Sequence, residues 1–295
     1  MDYLHFFSRF TSSSRLLIAL LLSTGAHLAH AQTKIVEGQV LNSRTGEPVP
    51  FATLGVPGRG LGTVADEQGH YLLRLPPSLN DTLIVSCVGF SSAVVVPAAL
   101  AAGKRVFQLA PQEHLLSEIK VEHRRMHPAL LGNTKAKGDI FWMGGSSGKR
   151  TVDTEWGWEF GALLKPVRRT YLEEFHIFLS ANNYELLRFR LNLYTVEQGR
   201  PGRTLLSQDI QVVCNKQQQG WITADLRPYE VLLDAQPVMA TIQWLQSEKT
   251  DPEDKYFSIP VTRQSRQVMV ERENSQAAWT IHDMQPSLYF TVMTE

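Results

Sequence analysis

The run Gly46-Glu47-Pro48-Val49-Pro50-Phe51-Ala52-Thr53 lies inside residues 36–90, and the pattern around it decides the fold of the first domain. Before it, Val36, Gly38 and Val40 alternate with Glu37 and Gln39, the period-two signature of a strand with one face on a core. Ser43-Arg44-Thr45-Gly46 then makes a polar turn whose glycine accepts a positive φ. Pro48 and Pro50 have no N–H to give to a ladder, so the run belongs at a strand start or a sheet edge. After it, Asp66-Glu67-Gln68-Gly69 predicts a second hairpin turn. The next strand places Tyr71 and Leu73 on one face and Leu72 and Arg74 on the other, and Pro76-Pro77 ends it. Leu83-Ile84-Val85-Ser86-Cys87-Val88 is apolar nearly throughout, as a strand covered on both faces is, and Gly89-Phe90 closes it. Residues 91–96, a small-residue loop over 98–103 and residues 105–109 complete the unit.

These motifs, in this order, resemble the carboxypeptidase-regulatory-like domain, the transthyretin-like or prealbumin-like β-sandwich of many secreted and outer-membrane proteins of Bacteroidetes-type bacteria. The resemblance covers residues 35–121 and makes Leu116-Ser117-Glu118-Ile119-Lys120-Val121 the last strand. It implies a seven-stranded Greek-key sandwich. Cys87 departs from the family pattern, which carries an aromatic there. In nutrient-uptake receptors with this domain the last strand leads toward a plug and a large membrane barrel. The 295 residues here are too few for that barrel, so the resemblance implies no receptor role.

The chain has room for two ordinary domains, each with its own core. Lys plus Arg equals Asp plus Glu at 29 each, which removes the net field a nucleic-acid binder uses. At the start, Arg9 and Arg15 precede an apolar run over 16–22, and Ala29-His30-Ala31 gives a small-x-small cleavage signal. Residues 1–31 therefore predict a cleaved secretory signal, leaving a mature chain with no transmembrane span and no lipid-attachment cysteine. The expected location is periplasmic, outer-membrane-associated or extracellular. Cys87 and Cys214 fall on apolar strands of different domains and are expected as buried free thiols rather than a bridge, metal ligands or nucleophiles.

Residues 122–150 read as a linker. They mix His123-Arg124-Arg125-Met126-His127, a short helix over 128–131, the flexible Gly132-Asn133-Thr134-Lys135-Ala136-Lys137-Gly138 and a Gly/Ser tract. Residues 151–295 read as a second all-β domain. Phe175, Ile177 and Leu179 alternate in one strand, Leu187, Phe189, Leu191 and Leu193 in the next, with Asn182-Asn183 as a hairpin-type turn between them. Further strands follow every ten to fifteen residues with Gly, Pro and Asn punctuation, the habit of a jelly-roll sandwich. This half resembles the uncharacterised C-terminal sandwich that often follows the regulatory-like domain, through residues 188–194, 199–202, Leu205-Leu206, Gly220-Trp221 and Asp225-Leu226. That resemblance implies a galactose-binding-like fold and no assigned activity.

Enzymatic motifs fail on spacing. No histidine has a glutamate three residues on, so the zinc pair of a metallocarboxypeptidase is missing. Gly144-Gly145-Ser146-Ser147-Gly148 fits Gly-x-Ser-x-Gly but lacks the helix that a nucleophile elbow needs, and it lacks a P-loop's leading glycine. Glu173-Glu174 are adjacent on a strand and point to opposite faces. Asp251, Glu253 and Asp254 belong to a solvated loop, and His123 and His127 have no third ligand. The tryptophans are the functional hint, because aromatics either fill cores or stack on sugar rings. Trp156 and Trp158 share a strand face with Phe160, and Trp279 lies in a loop. Trp158 and Trp279 are the candidate ligand-binding residues. No catalytic, metal-binding or cofactor-binding residue is expected.

The sequence thus predicts an all-β exported protein. A prealbumin-like sandwich over 32–121 and a linker over 122–150 lead to a jelly-roll-like sandwich over 151–295. It is expected to be a non-catalytic binding or adaptor protein of the cell envelope, with an envelope protein or a polysaccharide as partner, and with carbohydrate binding through second-domain aromatics as the alternative. An outer-membrane barrel in the second half is disfavoured, since its strands lack a uniform lipid-facing apolar band.

Overall fold

A computed structural model describes residues 34–77, 79–102, 105–112, 125–144, 156–249, 256–263 and 266–295. The expected signal over 1–31, the strand over 116–121, Ser146 and the acidic residues 251–254 lie outside them.

The first domain contains β1 (Lys34–Asn42), β2 (Thr53–Val56), β3 (Leu61–Val64), β4 (His70–Leu75), β5 (Leu83–Ser86), β6 (Phe90–Ser91), β7 (Ala93–Val95), α1 (Pro97–Ala101) and β8 (Val106–Pro111). Two four-stranded sheets, β4-β1-β8-β6 and β3-β2-β5-β7, face each other as a prealbumin-like sandwich. The predicted alternation places the core: Val36, Val40, Leu54, Leu73, Leu83, Val85 and Phe107 are buried between the sheets. Gly46 and Gly69 take positive φ at the two predicted turns, and Asp66 Oδ1 accepts from the Gln68 and His70 amides to fix the second.

Three local expectations change. β5 alternates, with Leu83 and Val85 buried and Ile84 half-buried, because only one of its faces meets the opposing sheet. Phe90–Ser91 and Ala93–Val95 pair in different sheets, so the chain crosses the sandwich at Ser92 and eight described strands replace the expected seven. The predicted small-residue loop starts as α1, with Pro97 in the first turn, where a missing N–H costs nothing.

The second domain begins earlier than the sequence suggested. The stretch read as a linker contributes β9 (His127–Gly132), paired with the chain's last strand, and β10 (Ile140–Gly144). The short helix expected at 128–131 is the middle of β9. Pro128 is tolerated there because β9 is a sheet edge. The remaining strands are β11 (Glu159–Leu164), β12 (Thr170–Leu179), β13 (Ala181–Asn182), β14 (Tyr184–Glu197), β15 (Arg200–Thr204), β16 (Ile210–Asn215), β17 (Gly220–Asp225) and β18 (Leu232–Leu233). They continue as β19 (Val238–Lys249), β20 (Phe257–Arg263), β21 (Met269–Arg272), β22 (Thr280–His282), β23 (Met284–Pro286) and β24 (Leu288–Thr294).

The larger sheet runs β15-β14-β19-β11-β21-β22 with β16 also on β14, and a second runs β17-β12-β24-β9 with β18 on β12. A small third sheet joins β10, β20, β13 and β23. β12 and β14 do not form the expected hairpin. Their apolar faces meet across one core, Phe175, Ile177 and Leu179 from one sheet against Leu187, Phe189 and Leu191 from the other, so the chain crosses through β13 between them. Among the described residues no helix is long and apolar enough to cross a membrane.

Candidate functional site in the interdomain cleft

The period-two pattern of β14 sends Leu187, Phe189, Leu191 and Leu193 into the second-domain core, which leaves Arg188, Arg190, Asn192 and Tyr194 on the opposite face. Its middle is covered: Arg190 is 2% and Asn192 4% exposed, because the first domain lies over them. Strand register then assembles a polar row across four strands. Arg190 of β14 lies opposite Gln243 of β19, Gln243 opposite Glu159 of β11, and Glu159 opposite Arg272 of β21.

Two arginine–carboxylate pairs anchor the row. Arg190 grips Asp209 through Nε and Nη2, and donates through Nη1 to the Phe51 carbonyl of the first domain at 3.1 Å. Arg272 donates Nε and Nη2 to Glu159 Oε2, while Asn192, Tyr194 and Thr241 donate to Glu159 Oε1. Burial raises the Glu159 pKa, but the Arg272 charge and the bonds from Thr241, Arg272 and Tyr194 outweigh it and hold the carboxyl below its usual range. Burial, with Glu159 beside it, pushes the Tyr194 hydroxyl far up, so it stays a neutral donor. Arg272 also stacks on Trp279, its guanidinium carbon 4.3 Å from the ring, and Tyr194 meets the same ring edge-on at 6.1 Å.

The first domain supplies the roof through Thr53, Ser86 and Cys87. Phe51, held at a positive φ of 53°, packs with Val64 against Leu245 and Trp156, and Arg188 lies over its ring while bonding Glu67. Gly55 permits the close approach, since a Cβ there would sit 2.0 Å from the Ser275 carbonyl. Backbone joins backbone where Gly58 N–H donates to Gln276 O at 2.9 Å. Between floor and roof lies a cavity of about 610 Å³ lined by Arg190, Asn192, Tyr194, Gln243, Arg272, Trp279 and the roof residues.

Of the two candidate tryptophans, Trp279 lines this cleft, half-buried and in a loop as expected. Trp158 lines a separate pocket of about 360 Å³ with Arg59 and Glu273, and its ring is 6.0 Å from Trp142. Trp156 belongs to the contact between the domains, and Trp244 is a core residue. Glu173 and Glu174 sit at a bulge in β12, with Glu174 3.4 Å from His176. His127 is exposed on β9, and His123 lies outside the described residues. No group of three or more metal-ligating side chains occurs among the described residues. Cys87 and Cys214 are both free. Burial pushes Cys214 up to about 12, and burial also raises Cys87 against the pull of Arg190.

A family model, the CarboxypepD_reg-like domain, matches residues 36–121. Residues 36–121 are a carboxypeptidase-regulatory-like domain. No curated protein matches the chain. Among solved structures the chain is similar to infectious bursal disease virus Gx strain at 9% identity and TM-score 0.24, over 89% of this chain and 55% of that one. For the Gt strain the figures are 8%, 0.25, 90% and 76%. The chain thus spans about half the length of the first of these, and likenesses this slight carry no argument. The regulatory-like domain supplies the cleft's roof, and its Phe51 contacts the second domain through both its ring and its carbonyl.

Proposed function

We propose that this chain is a non-catalytic, exported binding protein of the cell envelope whose site is the interdomain cleft, and that the ligand is a neutral saccharide. The observation that carries the reading is the composition of the cleft. Both arginines in it are already neutralised by Asp209 and Glu159, so a ligand meets amides, hydroxyls and the Trp279 ring without net charge. The oxygens Asn192 Oδ1 and Gln243 Oε1 accept no hydrogen bond from the described residues, while the nitrogens of the same amides donate inward to Glu159 and Gly157. Fixed acceptors beside a half-buried indole suit a polyol ring, which stacks its C–H face and donates its hydroxyls.

Catalysis is disfavoured by the same geometry. Glu159 lies beneath the cleft with no exposure, and its carboxylate is committed to Arg272, Thr241, Asn192 and Tyr194, so it has no room to accept a substrate proton. Export is supported by Arg9, Arg15, the apolar run over 16–22 and Ala29-His30-Ala31.

Titration with a panel of neutral oligosaccharides, read by tryptophan fluorescence and acrylamide quenching, tests the site. One glycan is expected to protect the fluorescence, with affinity falling at least about tenfold in Trp279→Ala and unchanged in Trp158→Ala. No saturable binding to any neutral glycan, or binding indifferent to Trp279→Ala, sinks the reading.

A protein partner is the second reading, and β7, an edge strand among the described residues, favours it. Val94 is 68% exposed on that edge and Val96, just beyond it, 53%, which suits pairing with a strand from an envelope protein.

A further inference from the structure

Another cavity, of about 700 Å³, lies where β1, β3 and β4 of the first domain meet Trp156 of the second. Val36 and Val40 point into the first-domain core, so Glu37 and Gln39 project from the opposite face of β1 and line the space. Strand register sets Leu72 of β4 beside Glu37, and His70 of β4 and Val106 of β8 on either side of Gln39. Val106 is 47% exposed, an apolar side chain left open on this face. Trp156 supplies the second-domain wall, half-buried and with its ring fixed by Nε1 donating to Ser247 Oγ at 3.2 Å.

The polar part of the lining has one sign. Glu37 is exposed and makes no ion pair among the described residues. Asp66 spends Oδ1 on the Gln68 and His70 amides, and its Oδ2 lies 3.6 Å from His70 Nδ1. Gln39 gives Nε2 to the Gln68 carbonyl, which leaves its Oε1 as an acceptor. Among the described residues no lysine or arginine lines the cavity. Two carboxylates and an amide oxygen thus stand beside an indole and an aliphatic wall without a counter-charge.

We propose that this cavity binds a primary alkylammonium ion, its ammonium group among Glu37, Asp66 and Gln39 and its alkyl chain against Leu72, Val106 and Trp156. An ammonium carries three donors and no acceptor, which matches a lining that offers only acceptors to it. The Trp156 ring attracts the same charge through its π face while packing on the chain. A free alkylamine and a lysine side chain on a partner share this chemistry, and the experiment separates them. The proposal is independent of the saccharide cleft, which shares no lining residue with this cavity.

Calorimetric titration of the full chain with octylammonium and with octanol tests it, below aggregation of either and at pH 8, where imidazoles are neutral and amines charged. Octylammonium is expected to bind saturably and at least about fivefold more tightly than octanol. Glu37→Gln should cut that preference by about threefold, with octanol binding and the melting temperature unchanged, since Glu37 is exposed and unpaired. Val106→Ser, at an exposed position, should weaken both ligands by several-fold. A blocked Leu-Lys-Leu peptide is the second arm: tighter binding of the peptide than of octylammonium, again weakened in Glu37→Gln, assigns the cavity to a partner's lysine, and the reverse order assigns it to a free amine. Equal binding of octylammonium and octanol to the native chain would show an apolar patch only and overturn the proposal. Absence of saturable binding by both octylammonium and the peptide, or an unchanged preference in Glu37→Gln, overturns it as well.

Discussion

The two arginine–carboxylate pairs under the cleft look alike in sequence terms and differ in what they hold. Arg272–Glu159 lies wholly within the second domain, spans adjacent strands β21 and β11, and has a carboxylate with no exposure at all. Arg190–Asp209 joins β14 to the turn before β16, keeps its carboxylate 24% exposed, and reaches across to the Phe51 carbonyl of the regulatory-like domain. One pair shapes the site, and the other fastens the roof to the floor. A buried pair is weak evidence of net stability, but breaking one by removing a single partner is costly, and the cost scales with how dry the remaining charge is. The comparison therefore makes unequal demands on the two pairs.

The largest effect is expected from Arg272→Met. It strands the Glu159 carboxylate where it has no solvent exposure, and should destabilise the second domain by about 3–5 kcal/mol in urea denaturation. Glu159→Gln in the same background should restore part of the loss, because a neutral amide no longer needs a counter-charge. If Arg272→Met costs less than Arg190→Met, burial does not rank these pairs and the comparison fails.

How much of this was legible in the sequence follows from what a period of two reports. On β14, Leu187, Phe189, Leu191 and Leu193 announce a buried face, and they are buried. The alternating Arg188, Arg190, Asn192 and Tyr194 announce only a face unlike the core. A polar face reads as solvated unless something covers it, and the cover here comes from Phe51 and Thr53, more than a hundred positions earlier in the chain. Trp279 could be placed in a loop from Ser275-Gln276-Ala277-Ala278, but its partner Arg272 follows from the β11–β21 register, which no local pattern encodes. The strand at 127–132 is hidden in the sequence for a related reason. Ala129 and Leu131 pack on the core while Leu130 is exposed, a strand signal only six residues long and with a proline at its second position. An edge strand tolerates that proline, but edges are assigned by neighbours that the sequence does not name. The first domain was clearer because its turns carry their own chemistry at Gly46, Asp66 and Gly69.

Arg190→Met is expected to cost less, about 1–3 kcal/mol, since Asp209 can recover water through its exposed side. Its distinctive consequence is mechanical. Without the bond to Phe51 O the roof is held by the Phe51–Leu245 contact, the Arg188–Glu67 pair and the Gly58–Gln276 backbone bond. Hydrogen exchange should accelerate at amides of the 51–66 region in Arg190→Met and stay near native there in Arg272→Met. Equal acceleration in both variants would remove the distinction between a pair that fastens domains and one that shapes a site.

The smallest effect is the acid limb of stability, and it sharpens the comparison by sign and by residue. In both carboxylates burial opposes ionisation and is overcome by the arginine, so only the difference survives as a lowered pKa. A carboxylate lowered in the folded state releases its proton more readily there than in the unfolded chain. The unfolded state therefore binds more protons as pH falls below the ordinary carboxylate value of about 4. The stabilisation is complete above that value and is lost as pH drops through the folded pKa. Glu159→Gln and Asp209→Asn should each flatten the decline of urea stability below pH 4 and leave the slope between pH 6 and 8 unchanged. The two should also part in kind. Asp209→Asn releases the roof, so its loss of acid dependence should come with faster exchange near Phe51, whereas Glu159→Gln should flatten the limb with that region still protected. An acid limb unchanged in both variants would place the controlling protonation elsewhere and detach these pairs from the pH response of the fold.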